Sequence, residues 1–156
     1  MENILSKPLI RPTRPGDARA IADRLCVADS KEIKLLTDVS PEQVLLDSVA
    51  SSPHAFTIEL NGMPIAMFGC TGDQNEAGAP WMLSTPETAK ATSLMREARQ
   101  IVRDLLIFHG YLANFVWVKN QAHIDFINWL GFAFTDTVFE RGGEKFVWFE
   151  MLEVPQ

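Results

Sequence analysis

The chain has 156 residues, a formal net charge of -6 and a pI near 5.0, so it offers no overall positive field to DNA or RNA. Hydrophobic residues at 47% and charged residues at 22% exclude disorder and allow one domain, residues 1-156, with a sizeable core of its own. No apolar run approaches the ~18 residues that span a bilayer, and the lone Cys26 and Cys70 make neither a metal-ligand pattern nor a disulfide framework.

From the N-terminus, Met1 to Lys7 lacks a basic segment followed by an apolar core and does not read as a secretion signal. The expected location is the cytoplasm of the cell that makes the protein, where two free thiols buried as small hydrophobes stay reduced. Leu9-Ile10-Arg11-Pro12 is a brief edge strand, and Asp17 caps a helix in which Ile21, Leu25 and Ala28 share a face. Ser40-Pro41-Glu42-Gln43 starts a second helix, with Ser at the N-cap and Pro at the first position. Val44, Leu45 and Val49 form its buried side, and it ends before Pro53.

His54 to Leu60 alternates as a strand, Asn61-Gly62 turns it, and Met63 to Cys70 returns. Gly72 to Pro80 is a loop whose length makes it mobile or functional, and it leads to the short buried strand Trp81 to Leu83. Ser84-Thr85-Pro86-Glu87 opens the longest helix, whose apolar stripe is Leu94, Ala98, Ile101, Leu105 and Phe108 and whose stop is Gly110. Phe115 to Val118 is a strand buried on both faces. After Lys119-Asn120 a short helix carries Ala122, Phe126, Ile127, Trp129 and Leu130 to Gly131. Strands Phe132 to Glu140 and Lys145 to Leu152 follow, joined by Arg141-Gly142-Gly143-Glu144.

The order is β, α, α, β, β, β, α, β, α, β, β. It predicts an α/β (α+β) domain with a mixed, mostly antiparallel twisted sheet of about six to seven strands and helices on both faces. The strands ending at Leu83 and Val118 are the expected parallel neighbours, joined by the long helix.

This order, with Asn120 followed by Gly131-Phe132 and with Ile10-Arg11-Pro12 and Asp17 at the start, resembles the Gcn5-related N-acetyltransferase (GNAT) superfamily over nearly the whole chain. The resemblance implies a wedge where the fourth and fifth strands, Trp81 to Leu83 and Phe115 to Val118, splay apart around acyl-CoA. Were acetyl-CoA bound, Met82, Leu83, Ser84, Thr85 and Asn120 would line it, and a main-chain N–H near Met82 or Leu83 would polarise the thioester carbonyl.

Two departures weigh against that chemistry. The family's Gly-rich pyrophosphate turn is replaced by Ser84-Thr85-Pro86-Glu87-Thr88-Ala89, in which Pro86 removes a donor and Glu87 adds a negative charge. The acid that many members place seven residues after the Asn is here Ile127, and Tyr111, the one tyrosine, lies elsewhere. Neither a bound cofactor nor a metal is therefore expected.

A narrower set of residues is similar to the small internal virion protein family of podophages: Gly72-Asp73-Gln74, Val116-Trp117-Val118-Lys119-Asn120, His123-Ile124 with Phe126, and Gly131. That resemblance implies an acetyltransferase-like, virion-associated protein acting through phage or host proteins.

Individual residues keep two readings each. Asn120 either bonds a ligand in the wedge or caps the short helix, and His123 is either a general base facing the wedge or a partly exposed residue packed beside Trp117. Asp73 and Gln74 either close over the wedge or form a turn. Trp81, Trp117 and Trp129 are core residues, or together an interface, with self-association open. The leading expectation is a protein-binding role in virion morphogenesis or host takeover on a degenerate acyl-CoA site. The alternative is an active N-acetyltransferase moving an acetyl group from acetyl-CoA to an amine, and a weaker third is a sensor of a small ligand.

Overall fold

The computed structural model describes residues 7 to 153; Met1 to Ser6, read above for a secretion signal, lie outside them. In chain order the elements are β1 (Leu9–Pro12), α1 (Asp17–Ala22), α2 (Val27–Leu36), α3 (Pro41–Ala50), β2 (His54–Leu60), β3 (Met63–Thr71) and β4 (Ala79–Ser84). Two tight 3-10 turns follow, Pro86–Lys90 and Thr92–Leu94. The chain then runs through α4 (Met95–His109), β5 (Leu112–Trp117), α5 (Gln121–Leu130), β6 (Ala133–Arg141) and β7 (Glu144–Met151). Strands β1-β2-β3-β4 form one antiparallel sheet and β5-β7-β6 another.

Local chemistry explains most boundaries. The Ser40 hydroxyl accepts the Gln43 N–H at 3.2 Å and starts α3 on Pro41. Asn61 and Gly62 have φ of 55° and 79°, the left-handed pair that a two-residue hairpin requires. Gly131 (φ 104°) stops α5 in the same left-handed region.

Three expectations are corrected. Asp17 does not cap α1: Gly16 holds that position, and the Asp17 carboxylate is spent on Arg11, the Arg14 N–H and Thr57. That first helix stops at Ala22, so Leu25 falls beyond it and Ala28 belongs to α2, an additional helix. The long helix starts at Met95 rather than after Ser84. The hydroxyls of Thr85 and Thr88 both donate to the Ile65 carbonyl, at 2.9 and 3.1 Å, and hold the intervening chain against β3 as tight turns. Leu94 is consequently off α4, whose buried face is Ala98, Val102, Leu105, Leu106 and His109.

Each sheet packs a cluster of its own, and Cys70 of β3 joins that of the second sheet. Ile21, Ile33, Leu45, Met67 and Leu83 pack on the first, and Val102, Leu105, Leu112, Val116, Ile127, Leu130 and Phe149 on the second. Each such side chain contributes roughly 1.5–3 kcal/mol on burial.

The sheets meet at one end only. Gly78 makes a single parallel bridge to Leu112, with its N–H on Tyr111 O at 2.8 Å and its carbonyl accepting from Ala113 N at 2.9 Å. The expected parallel neighbours β4 and β5 diverge from that point. The Gly72 to Gly78 loop is sewn into the narrow end: Asn75 N–H donates to Phe108 O, and His109 Nδ1 lies 3.1 Å from Asp73 O and 3.0 Å from Glu76 O. Glu76 N–H also donates to Asp73 O, so the turn reading holds and the loop does not cover the wide end.

Candidate functional site

Strand pairing decides which main-chain groups face the split. Thr85 N–H donates to Ile65 O, so by ladder alternation Leu83 and Trp81 also bond β3, while Pro80, Met82 and Ser84 direct their polar groups toward β5. On the other lip, Val118 N–H donates to Lys145 O. Residues 116, 114 and 112 therefore bond β7, and Ala113, Phe115 and Trp117 face β4.

Groups within the chain occupy most of these positions. Pro80 O accepts from Asn114 Nδ2 at 2.8 Å, and Phe115 N–H donates to Asn114 Oδ1 at 2.8 Å. Helix α2 and its N-cap residue Cys26 supply others. Its Glu32 Oε1 accepts the Trp117 N–H at 2.9 Å, Asp29 Oδ2 accepts the Ser84 N–H at 3.0 Å, and Cys26 N–H donates to Ser84 O at 2.9 Å.

The sequence-derived site residues are thereby placed. Ser84 is bonded to Asp29; Leu83 and Thr85 direct their main chain to β3; Met82 keeps its N–H and carbonyl toward the split. Asn120 is buried and makes no side-chain cap. Its Nδ2 donates to Asp29 Oδ1 at 2.9 Å, so the cap reading does not hold. His123 is 18% exposed at its side chain, with Nδ1 3.8 Å from Asp29 Oδ1 and making no hydrogen bond among the described residues.

Two cavities flank this polar seam. One of about 230 Å³ has mostly apolar walls, including Trp81, Leu83, Val102, Phe126 and Phe149, with Glu32 at its polar edge. The other, of about 320 Å³, lies under the 3-10 turns and the start of α4, beside Asp29 and Asn120. His123 and Phe126 line both.

Electrostatics make the seam acidic. Burial pushes the Glu32 carboxyl up, against the Trp117 N–H, which favours the ionised form. Burial, and then the Asp29 charge, raise the Cys26 thiol, which rules it out as a ready nucleophile. Glu87 does not sit at the start of α4; its Oε1 pairs with Arg24 Nη1 at 2.9 Å. Among the described residues no group of His, Cys, Asp and Glu is arranged to hold a metal ion, and no helix is long and apolar enough to cross a membrane.

Asp29 and Glu32 escaped the sequence reading because α2 did. A signal was present: Asp29, Glu32, Ile33 and Leu36 recur at i, i+3, i+4 and i+7, which puts two carboxylates on the apolar stripe of one helix.

A family model described as "Bacteriophage T7, probable scaffold protein Gp13" matches residues 54–139. The probable scaffold protein gp13 of Escherichia phage T7 is 31% identical over 100 residues, 62% of this chain and 70% of that protein. Among solved structures, Ard1 from Thermoplasma volcanium superposes with a TM-score of 0.67 at 14% identity, over 92% of this chain and 96% of the other. A GNAT-family acetyltransferase from Bacillus anthracis gives 0.66 at 12% identity, over 95% and 96%. The spermidine N-acetyltransferase of Vibrio cholerae, solved with CoA and spermine, gives 0.66 at 11%, over 93% and 95%. At these identities the likeness establishes the GNAT fold and no activity.

Proposed function

Because the chain belongs to the family of the probable scaffold protein Gp13 of bacteriophage T7, we propose that it is a phage-encoded protein of the GNAT fold that acts by binding phage or host proteins. The setting is virion morphogenesis or host takeover, in the host cytoplasm and in the particle. Its acyl-CoA site has lapsed, and no cofactor is bound in function.

The observation that carries this reading is the occupation of the split by the chain's own groups. Ser84 and Trp117 present their N–H groups to carboxylates of α2, at 3.0 and 2.9 Å. An acyl-CoA would have to displace Asp29 or Glu32 and bring its diphosphate beside their charges, which Coulomb repulsion opposes. Tight turns, rather than a glycine-rich helix start, precede α4. The residues present do not fit that cofactor.

Calorimetric titration with acetyl-CoA tests the reading. The expected result is no heat of binding at millimolar ligand; a micromolar Kd, about -8 kcal/mol, overturns it. The other reading, an active N-acetyltransferase with a divergent site, is favoured by His123, which lines both cavities beside the Asp29 carboxylate. Acetylation of an amine that His123→Ala abolishes would establish it instead.

A further inference from the structure

The solvent side of α4 is segregated by charge. Arg96, Arg99, Arg103 and Ile107 recur at i, i+3, i+7 and i+11, one stripe along the helix, whereas its acids Glu97 and Asp104 fall on another flank. Asp104 already accepts from Gln100 Nε2 at 3.1 Å. Arg96 and Arg99 are exposed, and neither has a carboxylate partner among the described residues. Ile107 is 72% exposed, the most of any large hydrophobic residue described.

Helix α5 adds an aromatic group to the stripe. Trp129 is 37% exposed, and the Arg99 guanidinium lies 4.2 Å from the centroid of its ring. Arg99 Nε and Nη2 also donate to Trp129 O at 3.1 and 2.8 Å, so cation and indole are fixed to one another before any partner arrives. Docking on this pair therefore costs little side-chain entropy, and Arg and Trp are the residue types that carry much of the energy at interfaces.

We propose that this stripe of α4, with Trp129 of α5, is a docking surface for an acidic amphipathic helix of a partner protein. Carboxylates of that helix pair with Arg96 and Arg99, which the chain itself leaves without one, and its apolar residues cover Trp129 and Ile107. Arg96 to Ile107 spans about 16 Å, so about three turns of the partner suffice. Nucleic acid fits less well: the chain carries a net charge of -6, and a phosphate backbone gives Ile107 nothing to bury against. The inference rests on the protein-binding reading of the function and names the chemistry of the partner.

The test titrates the whole chain into a fluorescein-labelled peptide repeat of Leu-Glu-Gln-Leu-Glu-Glu-Ala and follows anisotropy. A counterpart with Lys for every Glu and a labelled oligothymidylate are titrated in parallel. The wild type is expected to prefer the acidic peptide to both. Arg96→Glu with Arg99→Glu is expected to weaken that binding at least about tenfold and to bind the lysine counterpart more tightly than the wild type does. Arg99→Glu also severs the tie to α5; where that variant does not fold, Arg96→Glu with Ile107→Ser, both at exposed sites, carries the same tenfold expectation.

A wild type that binds neither peptide, or a folded variant that binds the acidic one undiminished, overturns the proposal. Tighter binding of oligothymidylate gives the stripe to nucleic acid and overturns it too. So does a concentration-dependent dimer in sedimentation that Arg96→Glu dissolves, which gives the stripe to a second copy. Acetyl-CoA enters none of these titrations, so the docking surface can fail while the lapsed site stands, and the reverse.

Discussion

Arg11 and Asp17 are the most tightly bound charged residues of the chain's first segment. The guanidinium holds Asp17 through two bonds, at 2.8 and 3.0 Å, and reaches Glu59 with Nε at 2.7 Å, while the Thr57 hydroxyl and Arg14 N–H complete the Asp17 set. Burial alone would raise the Asp17 carboxyl, but these donors hold it below the ordinary range. A depressed folded value means that this stability is present above the ordinary aspartate range and is lost as pH falls through the folded value. Asp17→Asn should therefore cost roughly 1.5–3 kcal/mol in urea unfolding at pH 7, because it removes the charge from a buried bidentate pair and leaves Glu59 as the guanidinium's one counter-ion. Glu32 has the opposite sign. Its folded value is raised, so protonation favours the fold, and the charged form is costly at neutral pH. Glu32→Gln keeps the bond from Trp117 without the charge; its Tm should exceed that of the wild type at pH 7, and the gap should close as pH falls through the raised folded value toward the ordinary glutamate range, about 4. A gap that widens in acid would contradict this account.

Among the elements, the Gly72 to Gly78 loop depends most on one residue. A Cβ at Gly78 would lie 2.5 Å from Cys70 Sγ and 2.8 Å from the His109 ring, in the bridge that joins the sheets. Gly78→Ala should destabilise by about 1–3 kcal/mol in thermal unfolding, the usual cost of overpacking. Burial has pushed the Cys70 thiol up to about 12, so it remains a neutral neighbour in that contact. Elements with punctuation were legible in the sequence: Ser40-Pro41 began α3, Asn61-Gly62 turned a hairpin, and Gly110 and Gly131 stopped helices in left-handed geometry. Helix α2 had no such mark, since Cys26 at its N-cap makes no side-chain bond and charged residues interrupt its short stripe. The 86–94 stretch misled for the reverse reason. Pro86 and Glu87 are good helix starters, and the tertiary pull of Ile65 O on Thr85 and Thr88 overrode them. The resemblance to the GNAT superfamily implied the wedge, but the carboxylates in it were not legible, because bonds such as Asn120 to Asp29 span residues far apart in the chain.

At the scale of the whole molecule, two sheets are joined mainly at their ends. At the narrow end are the Gly78 bridge, the bonds of the Gly72 to Gly78 loop to Phe108 and His109, and Cys70 of β3, which packs in the second sheet's core; the Asn114 side chain lies between Pro80 and Phe115, and α2 crosses the wide end. Units whose strands pair only at one end can open with different free energies. Hydrogen exchange in mild urea should therefore resolve the β1 to β4 amides from those of β5 to β7 as two groups, and Asn114→Ala should separate them further. A single common opening free energy for all strands would refute this division.

The stretch matched by the family model begins at residue 54, whereas α2 ends at Leu36. The strands that line the cleft, β4 and β5, together with Asn120 and His123, thus lie within the matched stretch, and the helix that closes it lies ahead of that stretch. Cover and cleft are consequently carried by separate stretches of the chain: a change confined to α2 alters what closes the cleft without touching either strand that shapes it.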